Sequence, residues 1–255
     1  MYATNYFETK ILNVFRGVTY NAPANVYLGL LLNNPGETGG GTELSYDGYA
    51  RQSITFSEPA LDTSLGEYGI QNTNAATYAA APTAAGTVTH VAVYDSQSGG
   101  NMLLYGQLTN SIIIDAGEAP AIIAGEIKFL TSGNMTNAYR TKMLNILRGV
   151  SITGINPYLA LFYGSNEVVA TNYGRKLITF GAPVESDGGT AYISNTEAVV
   201  FNQASTNWGY YDTLAIVDAS SGGVVAFSKS RASARYINRL KRVQIPVGDL
   251  KVGLN

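Results

Sequence analysis

The sequence predicts an all-β protein in which two similar antiparallel β-sandwich or barrel modules follow each other, each opening with a short helix. Three observations predict this fold class: an internal repeat along the chain, short β-rich runs between turn residues, and helical periodicity confined to the start of each copy. Of the 255 residues, 45% are hydrophobic, which is enough for a packed core, and 13% are charged.

The repeat is carried by blocks that recur in the same order. TKILNVFRGV at residues 9–18 returns as TKMLNILRGV at 141–150, and YARQSITF at 49–56 returns as YGRKLITF at 173–180. The offset falls from 132 to 124 between these blocks, because the first copy has a longer Gly-rich loop. We therefore expect a first module at residues 1–130, a polar linker at 131–137 and a second module at 138–255.

The helix that opens each copy is predicted from apolar spacing. Phe7, Ile11 and Phe15 recur every fourth residue, and Gly17 stands where a helix C-terminal glycine belongs. Arg16 falls in the last turn, where a cation is favourable, and Arg148 occupies the same place in the second copy.

The remainder of each copy predicts short strands bounded by Gly, Asn, Asp or Ser. In the first copy these β-rich runs cover residues 26–32, 50–56, 88–94, 102–108, 111–114 and 125–130.

The composition excludes several classes of chemistry. The chain has no Cys, which excludes a disulfide scaffold, a thiol nucleophile and an iron–sulfur cluster, and its one histidine is His90. We interpret His90 as a structural or surface residue, and we expect no cofactor, no metal and no enzymatic activity. No apolar run approaches the length that spans a membrane, so we expect no membrane insertion.

Two pairs of residues stand at matching places in the repeat and are expected to be structural. Arg51 and Arg175 follow a tyrosine, and the alternative is that they grip a ligand carboxylate. Asp95 and Asp218 each begin a turn that ends in Gly-Gly, which suits an aspartate capping its own turn. A calcium site is the alternative there, although the spacing is not that of an EF-hand loop.

Two aromatic residues of the second copy are the candidates for a ligand contact. Trp208 is the single tryptophan and lies close to Tyr210, so these two residues are the candidates for stacking on a sugar.

The two copies carry opposite charge. Residues 1–139 have four Lys/Arg against eleven Asp/Glu, a net charge of −7, whereas residues 140–255 have twelve against seven, a net charge of +5. One loop reverses its charge directly: Asp115 and Glu118 lie in the first copy where the second has Arg239, Lys241 and Arg242, with Arg235 nearby. We interpret these residues as assembly contacts between acidic and basic copies; nucleic-acid binding is the alternative for the basic set.

The same blocks resemble a family of small tailed-phage virion proteins, usually described as tail fibre or minor structural proteins. The resemblance rests on NPGETGGGTE at residues 34–43, GYARQ at 48–52, VTHVAVYD at 88–95 and GGNMLLYG at 99–106, with Trp208-Gly209 in the second copy. Family members are typically single copies, so the duplication is a departure.

The resemblance implies a non-enzymatic virion protein, assembled in the host cytoplasm, that acts as a tail- or neck-associated fibre or adaptor. A capsid decoration protein and a receptor- or glycan-binding adhesin are the alternatives. Its expected partners are further copies of itself and other virion proteins, with a host surface glycan or receptor as a further candidate. A homotrimer of a two-module chain would present six similar modules.

Overall fold

The computed structural model describes residues 1–185 and 190–254. The predicted fold class is confirmed: within this part the chain forms two α-helices and twenty β-strands, and every strand pairing is antiparallel. The first module contains β1 (Tyr2–Ala3), α1 (Asn5–Val14), β2 (Val26–Leu31), β3 (Gln52–Ile54), β4 (Ala60–Asp62), β5 (Glu67–Gln71), β6 (Ala76–Thr77), β7 (Gly86–Tyr94), β8 (Met102–Ile114), β9 (Ala121–Ile122) and β10 (Lys128–Thr131).

The second module repeats this order. It contains α2 (Asn137–Ile146), β11 (Tyr158–Tyr163), β12 (Asn166–Glu167), β13 (Lys176–Leu177), β14 (Val184–Glu185), β15 (Ala191–Ser194), β16 (Val199–Val200), β17 (Gly209–Val217), β18 (Val225–Ile237), β19 (Gln244–Ile245) and β20 (Lys251–Gly253).

Each module has one five-stranded sheet, one three-stranded sheet and one two-stranded sheet. In the first module the strand orders are β1-β8-β7-β2-β3, β10-β5-β4 and β6-β9. In the second they are β12-β11-β17-β18 with β13 beside β11, then β14-β15-β20 and β16-β19. Alternate residues of the facing sheets, such as Leu28 and Phe129, are buried in a common core, as the two layers of a β-sandwich require.

The long strand β8 corrects one sequence expectation. Residues 102–108 and 111–114 form the single strand β8, because the turn-like residues between them lie in a bulge. Val88 is opposite Ile112 and His90 is opposite Gln107, so the four residues 108–111 face Thr89 alone. The bulge bends the strand without ending it.

Both helices end as the glycine position predicts. Gly17 has φ +82°, and Gly149 has φ +83°, the left-handed conformation that glycine adopts without steric cost. In α1 the N–H of Val18 donates to the carbonyl of Asn13 and that of Gly17 donates to Val14, which is the Schellman pattern. Thr4 and Thr136 cap the other ends through their hydroxyl groups.

The segment expected to be a linker is part of the folded structure. Thr131 belongs to β10, Met135 forms a β-bridge with Phe227, and Thr136 is the N-cap of α2. One continuous hydrophobic cluster includes buried residues of both modules, so the two modules share a core.

The helices lie between the modules in a reciprocal arrangement. Helix α1 contacts β8 of its own module and β15 of the second, while α2 contacts β18 of its own module and β5 of the first. The ring of Phe15 is at the centre of this arrangement, with its centroid 5.6 Å from that of Tyr139 and 5.1 Å from that of Phe227. Burial of such aromatic rings is a large stabilising term.

The two arginines that follow the helices also cross between the modules. Arg16 donates from Nε to the carbonyl of Phe180, and Arg148 donates from Nε to the carbonyl of Phe56, each at 3.4 Å. Arg148 additionally forms an ion pair with Glu58. The repeated arginines therefore join the modules through equivalent contacts.

The backbones of the modules approach closely beside these contacts. Tyr20 and Ile152 form an antiparallel β-bridge, and the N–H of Ile155 donates to the carbonyl of Val14 at 2.9 Å. At Gly154 an added Cβ would lie 2.2 Å from the carbonyl carbon of Gly17. No side chain fits at Gly154 unless the modules separate locally.

We expect Gly154→Ala to lower the free energy of unfolding by about 2–3 kcal/mol, because overpacking here displaces backbone rather than a flexible side chain. Urea denaturation measures the change. Gly174→Ala is the matched control, since no atom lies within 4 Å of the Cβ it would add and its φ is not positive. Equal stabilities of the two variants would contradict the tight approach of the modules.

One carboxylate at this interface is expected to make stability depend on pH. Glu8 on α1 accepts a hydrogen bond from the N–H of Ala191 at 2.7 Å. Burial is the main cause that raises the pKa of Glu8 to about 7; the hydrogen bond from Ala191 acts against it, and the nearby carboxylates of Glu37 and Glu185 add to it. Between about pH 4.5 and 7 the unfolded chain loses a proton that the folded protein keeps, so this group's contribution to stability falls as the pH rises.

We expect Glu8→Gln to be more stable than the parent protein at pH 8 and equally stable near pH 4.5, because the amide removes the cost of burying a charge. Thermal unfolding at a series of pH values gives the difference. Glu118→Gln is the control, because Glu118 is exposed, and it should show no such trend. A gap for Glu8→Gln that is constant with pH would contradict the assignment.

Candidate interaction surfaces

The two equivalent arginines hold a partly buried network in each module. Arg51 forms a two-point contact with Glu43, from Nε to Oε1 at 2.9 Å and from Nη2 to Oε2 at 2.7 Å. Its Nη1 donates to the carbonyls of Ser96 and Gly99, at 3.0 and 2.6 Å. The guanidinium carbon lies 3.3 Å from the ring centroid of Tyr94. All of its contacts are within its own module.

Arg175 reproduces this geometry in the second module. It contacts Glu167 at 2.9 and 2.7 Å and donates to the carbonyls of Ala219 and Gly222. The hydrogen bonds to Glu167 raise the pKa of Arg175 above its ordinary value. Two-point arginine–carboxylate contacts are stronger and more directional than single hydrogen bonds, so each network ties three segments of its module to one another.

The repeated aspartates hold the turns that carry these carbonyls. Asp95 accepts from the N–H of Asn101 at 2.7 Å, and Asp218 accepts from the N–H of Val224 at the same distance. Asp218 also accepts from Tyr139 and Lys142; although burial raises the pKa of Asp218, these hydrogen bonds hold it below its ordinary value. No cluster of three or more His, Cys, Asp or Glu suited to a metal ion occurs within residues 1–185 and 190–254.

His90 lies in β7, with its Nδ1 at 2.9 Å from the hydroxyl of Thr89. Partial burial lowers the pKa of His90.

No helix in the described ranges is long and apolar enough to cross a membrane.

Both modules line a groove of about 1840 Å³. Strands β8 and β10 contribute to it from the first module, and β18 and β20 from the second. Its lining contains carboxylates, among them Glu67, Glu126 and Asp249, and cations, among them Lys128, Arg140 and Lys251. Its lining is thus mixed in charge.

The structure separates the two aromatic residues that the sequence suggested for a ligand. Trp208 is 6% exposed, its indole N–H donates to the carbonyl of Thr171 at 3.1 Å, and its ring meets Tyr173 edge to face. A ring packed in this way has no face open for stacking on a sugar. Tyr210, by contrast, is 52% exposed.

Tyr210 belongs to an exposed group that sequence reasoning missed, which we name the tyrosine cluster: Tyr163, Tyr210 and Tyr236. The ring centroid of Tyr210 lies 5.8 Å from that of Tyr163 and 4.8 Å from that of Tyr236. Tyr236 is opposite Tyr210 in the β17–β18 pair, and β11 supplies the third ring. Because these tyrosines are far apart in the sequence, their proximity cannot be predicted until the pairing of the strands is known.

The first module has no such cluster. The residues at the matching repeat positions are Leu32, Thr87 and Ile113. The tyrosine cluster is therefore a feature of the second module alone.

The two loops of opposite charge have the same backbone frame. In the acidic loop, residues 115–118, the N–H of Gly117 donates to Ala81 and the N–H of Ala81 donates to Glu118. In the basic loop, residues 238–242, the N–H of Leu240 donates to Ala204 and the N–H of Ala204 donates to Lys241. The same scaffold thus presents acids in one module and cations in the other.

The charged side chains of both loops face solvent. Asp115, Glu118, Arg239, Lys241 and Arg242 are all exposed, as is Arg235 on β18. Within the described residues, no ion pair or hydrogen bond joins the two loops. The modules of one chain meet through other residues, so these charges are available to a partner.

One family model matches the chain twice. The family is described as podophage GP4 fiber I protein gp80, and its model matches residues 2–130 and again residues 134–253. The two matches coincide with the two copies of the repeat and together cover almost the whole chain. No curated protein matches the sequence.

Proposed function

We propose, from the premise that this chain belongs to the podophage GP4 fiber I protein gp80 family and contains its unit twice, that it is a non-enzymatic component of the phage tail, built into a fibre or into the neck region where fibres attach. The double family match is the observation that carries this proposal. It works through contact surfaces rather than through chemistry, and it needs no cofactor.

The internal structure supports an architectural role. The modules share one core, and their reciprocal helices hold them in a fixed relation. The Arg51 and Arg175 networks tie loops to the sheets with two-point ion pairs. A rigid block with defined faces is what a virion part that transmits force and position requires.

We propose that the chain assembles with copies of itself and with other virion proteins. The acidic and basic loops are exposed, equal in backbone shape and opposite in charge, which favours pairing between chains and disfavours pairing of like modules. Three copies would place six modules around a ring, matching a tail of six-fold symmetry. A capsid decoration role uses the same surfaces and is the alternative location.

Cryo-electron microscopy of the phage particle that encodes this chain tests the proposal. We expect density for six modules, or a multiple, around the tail or neck, and peptides of the chain in mass spectra of purified particles. Density over the capsid lattice would contradict the tail assignment. Absence of the chain from the particle would overturn the virion role itself.

The tyrosine cluster favours a second function, recognition of a host surface glycan or receptor. Its three rings are each about half exposed, and exposed tyrosines combine apolar faces with hydroxyl groups, as contacts with sugars and proteins require. The first module, which lacks the cluster, would take no part in this contact.

We expect the double variant Tyr210→Ala/Tyr236→Ala to bind host cell envelopes at least about tenfold more weakly than the parent protein, since two stacked rings contribute about 0.5–1.5 kcal/mol each. Fluorescent protein and a pull-down with envelopes measure this. Tyr2→Ala is the control, because Tyr2 is also an exposed tyrosine but lies on the first module, where it packs on Tyr105. Equal binding of all three proteins would rule the second function out.

A further inference from the structure

Leu240, in the basic loop, adopts a conformation that leucine rarely takes. It has φ +66°, and in the described chain only Asn172 shares a positive φ without being glycine. Asparagine tolerates this left-handed region, but the Cβ of leucine makes it unfavourable. The matching residue of the first module is Gly117, with φ +84°, for which the same conformation has no steric cost.

The strain at Leu240 is imposed by a well-held loop. The N–H of Leu240 donates to Ala204 at 2.8 Å and its carbonyl accepts from the side chain of Gln203 at 3.0 Å. The N–H of Arg239 donates to the side chain of Asn207 at 2.8 Å. Because these hydrogen bonds fix the backbone of the loop, they hold Leu240 in its unfavourable conformation.

The folded chain gains little from this leucine in return. The side chain of Leu240 is 60% exposed, and its neighbours Arg239, Lys241 and Arg242 are exposed cations. Strained residues that persist without a benefit to packing occur most often where a protein meets a ligand or partner. An apolar side chain surrounded by cations is the pattern of an interface anchor with a charged rim.

A complementary surface exists on the first module of the same sequence. Ile113 is 62% exposed and lies two residues before Asp115, with Glu118 in the same loop. Pro82 and Ala84 are also exposed, in the segment whose Ala81 holds the acidic loop. This surface offers apolar contact beside carboxylates, which matches the basic loop in both respects.

We propose that Leu240 anchors a head-to-tail contact between two copies of this chain, packing on Ile113 of the second copy while Arg239 and Lys241 face that copy's Asp115 and Glu118. The inference rests on the proposed self-assembly and specifies the surfaces that carry it. Because the two surfaces differ, the contact is heterologous, and repetition closes a ring or extends a filament.

Sedimentation velocity over a range of protein concentrations tests the anchor. We expect Leu240→Gly to weaken self-association at least about tenfold, as loss of an interface hot spot does. Its melting temperature, measured on dilute monomer, should stay equal or rise by about 2 °C, because glycine relieves the left-handed strain. Val169→Ser is the control: Val169 is 92% exposed, and its replacement should leave association unchanged.

A charge exchange tests the partner surface. Arg239→Glu/Lys241→Glu and Asp115→Lys/Glu118→Lys should each remain monomeric alone, and a mixture of the two should associate, since only the mixture pairs opposite loops. This result is independent of whether either variant loses some stability. A mixture that behaves like the separate variants would overturn the acidic loop as the partner.

The remaining outcomes distinguish the anchor from the wider function. Unchanged association of Leu240→Gly would overturn the anchor. A lower melting temperature would overturn it as well, because it would show that the leucine stabilises the fold. Wild-type protein that stays monomeric at all concentrations but shifts a DNA duplex through its basic loop would replace the second copy with nucleic acid. Either result would overturn the Leu240 contact without contradicting the virion role, which depends on whether the particle contains the chain. The proposed contact and the proposed virion role can therefore fail independently.

Discussion

The reciprocal packing of the two helices is the constraint on which the rest of the structure depends. Each helix lies on the long strand of its own module and on the small sheet of the other, so neither module can bury its apolar surface alone. Phe15, packed between Tyr139 and Phe227, sits at the centre, and Gly154 allows the backbones to meet. Because each module completes the core of the other, the duplicated chain folds as a fused pair with approximate two-fold symmetry, like a homodimer joined by a short segment.

That constraint explains which features the two copies share and which they do not. Residues that close the core or bind the sheets recur with the same geometry: the helix-ending glycines, the crossing arginines Arg16 and Arg148, and the Arg51 and Arg175 networks. Exposed residues do not have to close the core or bind the sheets, and it is at exposed positions that the two copies differ. The loop frame is kept while its charge reverses, and the tyrosine cluster is present only in the second module. A duplicated scaffold thereby presents two different faces, which a symmetric homodimer cannot do.

These faces are consistent with an assembly component of a fibre family. In the proposed self-assembly, the unlike ends of the subunit form directional contacts, and opposite charge sets which end meets which. Glu8, whose pKa is raised, lies at the contact between the modules. Because its carboxylate is buried there, the contact between the two modules weakens as the pH rises. The contacts within the chain and those proposed between chains thus use different residues, so assembly does not compete with folding.

The sequence by itself determined the fold class, the duplication, the family and the opposite charges, because repeat spacing, β-rich runs and loop composition are local signals. It also predicted structural roles for Arg51, Arg175 and the capping aspartates, because these residues stand at matching positions in the two copies. The tertiary structure alone decided that Trp208 is buried, that β8 continues through its bulge, and that the modules share one core. It alone brought the tyrosine cluster together and showed the strained backbone of Leu240. These features depend on strand pairing, register and backbone angles, which are set by contacts between residues far apart in the chain and leave no local pattern.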